Sequence, residues 1–117
     1  METDVKNTCT PKPQLTDRPL LEGEEAEGLS DTFKILANAT RLRILHALVR
    51  NPNTSVTELS EQVGMKPQAI SNQLQRLVDK GVVRPLREGN FIHYQIVDTC
   101  VIILLDRGWC LTEDLPN

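Results

Sequence analysis

Aromatic side chains are scarce in this chain. Phe33, Phe91, Tyr94 and Trp109 are the four among 117 residues. Stacking platforms for single-stranded nucleic acid need more rings than that. Long apolar runs are missing too. Residues 101–105 form a run of five, against the roughly 18 needed to cross a membrane. The N-terminus is acidic and has no apolar stretch of the kind that marks a secretory signal, so a cytoplasmic protein with no membrane partner is expected. No nucleophile–base pair and no glycine loop suited to phosphate stand out, which argues against an enzyme. There is no internal repeat. Cysteine is absent from residue 10 to residue 99 and totals three. An odd count without an export signal argues against a disulfide framework and favours free thiols or metal ligands.

What is present suits one small domain. The length is that of a single domain at about 150 residues each, and such a chain buries only a modest core by itself. The net charge is −3, but it is unevenly spread. Residues 1–31 carry three basic against eight acidic side chains. Residues 66–87 carry five basic against one acidic, and residues 98–117 one basic against four acidic. A basic middle between acidic ends can hold a polyanion on one face; a solvated helix face is the plainer explanation of the same charges.

Residues 1–19 hold Pro11, Pro13 and Pro19 among polar neighbours and are expected to form a flexible arm. Residues 20–112 read as the folded domain, and residues 113–117 as a tail. A helix is expected over about residues 20–37, with Leu29, Phe33, Leu36 and Ala37 on one apolar stripe. A second spans residues 39–50, with Leu42, Leu45, Leu48 and Val49 inward, and Asn51-Pro52-Asn53 stops it. A third covers residues 56–63. Ser55 is placed to cap it, Glu58 follows three residues later as in a capping box, and Gly64 ends it. A fourth covers residues 67–80, with Pro67 in its first turn and Ile70, Leu74 and Leu77 inward. The period then changes to two. Residues 82–87 and 91–96 read as strands of a hairpin, with Glu88-Gly89-Asn90 between them. Asp98 or Thr99 caps a last helix over about residues 100–111.

The fold class is therefore mostly α with a small β-hairpin. A short helix, a turn containing glycine and a longer helix with a polar face form a helix-turn-helix, whose second helix enters the major groove. That helix presents Lys66, Gln68, Ser71, Asn72, Gln73 and Arg76. Gln and Asn match the edge of adenine, and Arg matches guanine or phosphate. The hairpin tip, with Arg87, Gly89, Asn90 and His93, reads as a wing along the flanking DNA. Two-fold pairing through an apolar last helix would double the contacts and match a palindromic operator in double-stranded DNA.

Three blocks carry a resemblance. They are residues 33–45 (FKILANATRLRIL), residues 63–83 with Val63-Gly64, Ala69-Ile70-Ser71-Asn72-Gln73-Leu74, Leu77 and Gly81-Val82-Val83, and residues 89–96 with Gly89 and Tyr94-Gln95-Ile96. In this order they resemble the ArsR/SmtB family of bacterial metal-sensing repressors over about residues 20–112. The resemblance implies a winged helix-turn-helix homodimer joined through its first and last helices. It implies repression of efflux or detoxification operons, release of DNA when an effector binds, and no catalysis.

The resemblance also bears on the effector. The family's site on the helix before the recognition helix uses a cysteine, and Ser55 stands at that position here, so the site in its usual form is absent. The family's other common site uses an Asp and, two residues later, a His, just after the second strand of the wing. Asp98 and Cys100 stand there. The second ligand pair would fall near Leu111 and Asp114, with Cys110 and Glu113 close by. Cys in place of His points to an ion softer than zinc: arsenic(III), Cd, Pb or Hg. Cys100 and Cys110 are ten residues apart, roughly 15 Å along a helix at about 1.5 Å per residue. They cannot share an ion within one chain. On antiparallel helices around a dyad near Leu105, Cys100 of one copy approaches Cys110 of the other, and Cys9 or Asp98 would supply a third ligand.

Plainer roles compete. Buried cysteines can simply pack in a dimer core. Cys9 can be an accidental thiol, His46 a core or solvent-facing residue, His93 a wing residue and Trp109 an interface residue. A disulfide or persulfide trigger on Cys100 and Cys110 is one alternative to the metal. A winged-helix module that binds protein and not DNA is another.

Overall fold

Asn38 separates the first two helices. Its side chain accepts a hydrogen bond from the Arg41 amide at 3.0 Å, which opens α2 (Ala39–Arg50) immediately after the end of α1 (Gly23–Leu36). The computed structural model describes residues 12–116. Ahead of α1, a single 3₁₀ turn covers Leu15–Asp17, in the stretch expected to be an arm. The Glu22–Glu25 pair forms a capping box that starts α1.

A two-residue strand, β1 (Thr54–Ser55), leads straight into α3 (Val56–Val63). The expected capping box is present. Ser55 Oγ accepts from the Glu58 amide at 3.2 Å, and Glu58 Oε1 accepts from the Ser55 amide at 3.0 Å. Gly64 then takes φ +76°, the left-handed cap that lets the chain turn sharply into α4 (Pro67–Asp79). The wing consists of β2 (Val83–Glu88) and β3 (Phe91–Ile96), antiparallel, with Glu88 opposite Phe91. The turn is thus the two residues Gly89-Asn90, with Gly89 at φ +62°. The last helix, α5 (Thr99–Asp114), starts with the Asp98 carboxylate accepting from the Cys100 amide at 2.8 Å.

The fold class read from the sequence holds, with one addition. The sheet has three strands in the order β1-β3-β2, because Thr54 and Ser55 pair with Tyr94 and His93. Two residues are too short to show a period of two, so β1 had no pattern to betray it. The core lies among α2, α3, α4 and the base of the wing. Ile44, Leu45, Leu59, Ile70, Leu74, Leu77 and Val83 are its fully buried side chains. Ile70, Leu74 and Leu77 recur at helical spacing and turn the opposite face of α4 outward.

Four expected core residues are elsewhere. Leu29 and Phe33 are 43% and 49% exposed, and Leu42 is 38% exposed. Ala37 is exposed as well. The stripe on α1 exists, but only Leu36 and the half-buried Ile35 reach the core. An apolar stripe requires a surface to pack on, and the described residues do not supply one to the rest of α1. The last helix also runs on to Asp114, beyond the residue 111 expected for it.

Candidate nucleic-acid interface and effector region

The buried side of α4 determines what its other side can do. With Ile70, Leu74 and Leu77 anchored, Gln68, Asn72 and Arg76 stand exposed on the surface, with Lys66 just ahead of the helix. Gln68 Nε2 donates to Asn72 Oδ1 at 3.0 Å, an i to i+4 pair that holds both amides on one stripe. Ser71 and Gln73 are half-buried. Gln73 is turned toward α2, where Arg41 Nη1 donates to its Oε1 at 3.5 Å. The expected reading surface is therefore one contiguous helix face, with Gln73 at its edge.

Arg41 is a residue that spacing alone did not single out. It sits in the first turn of α2 and reaches across to α4, and its Nε is buried without a hydrogen-bond partner. Its position inside an apolar helix pattern carried the only available hint. The wing tip presents Arg87 and Asn90, both exposed. Behind the tip, His93 Nδ1 lies 2.8 Å from Glu88 Oε1, a contact across the two strands. His93 is thus a wing residue, as the plainer reading had it. His46 is exposed on α2 beside Arg43 and Arg50.

Glu58, at the start of the helix-turn-helix, has its carboxyl held below the usual carboxylate range. The Ser55 amide that donates to it is the main cause and the Ser55 hydroxyl adds to it, with a smaller contribution from the charge of His93. The first helix of the motif is therefore pinned by an ionised cap.

The thiols are on α5. Cys110 is a free, exposed thiol, and its Sγ is 4.0 Å from Asp114 Oδ2. Cys100 is half-buried in the first turn beside the capping Asp98. Cys9 lies outside the described residues. Among the described residues, no three His, Cys, Asp or Glu side chains converge to hold a metal within one chain. Around Cys110, Ile103, Trp109, Leu111 and Leu115 are 49–64% exposed. The opposite side of α5, with Val101, Ile102, Leu104 and Leu105, packs on the core. No helix among the described residues is long and apolar enough to cross a membrane.

Known proteins share this fold. A winged helix-turn-helix DNA-binding family model matches residues 38–84, from the cap of α2 into β2. The transcriptional regulator NmtR of Mycobacterium tuberculosis is 39% identical over 95 residues, covering 81% of this chain and 78% of that protein. The crystal structure of AntR, an antimony-specific transcriptional repressor, superposes with a TM-score of 0.76 at 54% identity, covering 92% of this chain and 96% of that one. The homodimeric winged helix-turn-helix domain Mb0332 from Mycobacterium bovis superposes with a TM-score of 0.69 at 27% identity, covering 83% and 92%.

Proposed function

The chain belongs to the ArsR/SmtB family of metal-sensing transcriptional repressors, and on that premise we propose that it is a homodimeric repressor of operator DNA released by a thiophilic metal or metalloid ion. Lys66, Gln68, Ser71, Asn72, Gln73 and Arg76 meet the major groove, and Arg87 and Asn90 of the wing meet the flanking backbone. It catalyses no reaction. The effector is of the class of arsenic(III), Cd, Pb and Hg, and its ligands are Cys100 of one copy and Cys110 of the other, with Cys9 and Asp98 as further donors.

One observation carries the effector reading. Cys110 is a free, exposed thiol on a helix face crowded with exposed apolar side chains that nothing among the described residues covers. A second copy packed there places soft donors from two chains at one seam. The donor set fits a soft ion: thiolates with one carboxylate favour thiophilic over hard cations. The chain's likeness to an antimony-specific repressor supports the same class. Release requires only that the ion bind one dimer shape better than the other, by a coupling of about 1–3 kcal/mol.

The test is titration of a DNA complex with arsenite, antimonite, Cd, Pb and Hg under anaerobic reducing conditions. Wild type is expected to dissociate, and Cys100→Ser and Cys110→Ser to stay bound. A Cys100→Ser complex that still dissociates would place the site elsewhere. In a second reading the trigger is oxidative, a disulfide or persulfide bridge between Cys100 of one copy and Cys110 of the other. Release by oxidant alone, with no response to any ion, would select that reading. No binding of duplex at low salt would instead select the protein-binding module.

A further inference from the structure

We propose that Gln95 is the positioning residue that sets the wing against the helix-turn-helix, so that Arg87 and Asn90 meet the DNA flanking the recognition helix. The inference rests on the DNA-binding reading above. Gln95 lies on β3, the middle strand, and is 7% exposed. A buried amide is costly unless both its ends are hydrogen-bonded. Here the two ends are bonded to different parts of the fold. Oε1 accepts from Arg84 Nε at 3.4 Å and Nη2 at 3.3 Å, on β2 of the wing. Nε2 donates to Asn53 Oδ1 at 2.7 Å, in the turn ahead of α3.

Asn53 is itself unusual. It has φ +64°, the sole non-glycine residue with positive φ among the described residues. Asn tolerates that conformation better than other L-residues, and it persists where the surroundings hold it. Those surroundings are the Gln95 amide, the buried Thr54 whose hydroxyl donates to Asn51 O, and the pairing of Thr54 with Tyr94. Ser55, which caps α3, is the next residue of the same short strand. One side chain thus joins the outer wing strand to the entry of the first helix of the motif. A wing that tilts away from α3 must break the Gln95–Asn53 bond inside a buried site, where unpaired polar groups are most costly.

The alternative is that Gln95 is only a satisfied core amide. Binding of the full chain to two duplexes separates them. The first is the long duplex that wild type selects from a random-sequence pool; the second is the same site trimmed to the segment under the two recognition helices. Gln95→Leu is expected to weaken binding to the long duplex about tenfold, the scale of one charged hydrogen bond. Binding to the trimmed duplex stays within twofold of wild type, and hydroxyl-radical protection disappears from the flanks alone. Asn53→Gly keeps the backbone conformation and removes Oδ1, so it gives the same pattern and decides the matter if Gln95→Leu does not fold. Equal losses on both duplexes, or no loss on either, overturn the inference. If wild type selects no duplex at all, the DNA-binding reading fails, and this inference with it.

Discussion

Eleven of the twelve buried apolar residues lie between α2 and the end of β3, whereas α5, with sixteen residues, buries none completely. The two regions do not differ in apolar supply. The outer region has Leu29, Phe33, Ile103, Trp109 and Leu111, all exposed by 43% or more. They differ in what each packs against. The helix-turn-helix and wing cover one another within a single chain. The faces of α1 and α5 have no such cover, and exposed large apolar side chains on neighbouring elements mark an association surface. One region is complete in one copy; the other is half of an interface.

That contrast can be broken from either side. The largest effect belongs to the core. Leu45→Ala, at a fully buried position, is expected to lower stability by about 2–5 kcal/mol and to abolish DNA binding by unfolding the motif. Thermal denaturation followed by circular dichroism measures it. Trp109→Ala, on the exposed face of α5, is expected to weaken self-association by about 2 kcal/mol while leaving the fold intact. Sedimentation equilibrium checks this, and a Trp109→Ala protein that unfolds would mean that α5 belongs to the monomer core.

Smaller effects sharpen the picture of the reading half. Arg76→Ala is expected to weaken duplex binding by about tenfold and to lower the salt slope by about one. A fluorescence-anisotropy salt series reads both. Ser55→Ala removes the cap of α3 and should cost about 1 kcal/mol. Glu58 adds a pH dependence to this cap. Its carboxyl is held below its ordinary range, chiefly by the Ser55 amide. The stabilisation is therefore fully present above the ordinary carboxylate value and is lost as pH falls through the lowered one. Urea midpoints of wild type and Glu58→Gln are expected to differ at neutral pH and to converge in acid.

Much of this fold was legible because its signals are local. The Ser55–Glu58 cap, Gly64, Pro67 and the spacing of Ile70, Leu74 and Leu77 each lie within a few residues of what they control. The outward residues of α4 followed from the inward ones. What was not legible depends on contacts distant along the chain. β1 is recognisable only through its pairing with β3, forty residues away. Arg41 is notable only because α4 crosses it, and Gln95 only because Asn53 and Arg84 meet its two ends.

The cysteines divide in the same way. Their scarcity, their odd number and the place of two of them in the last helix were settled by the order of residues alone. So were the periodicities that made α4 amphipathic and the wing a hairpin, because side-chain direction follows directly from helix and strand geometry. Tertiary structure alone decided which apolar stripes find cover. Burial is a property of two surfaces, and most of the stripe on α2 has its partner surface in this chain, while the outer faces of α1 and α5 find none among the described residues. It also decided that Cys110 stands free and exposed while Cys100 is half-buried beside the cap of α5.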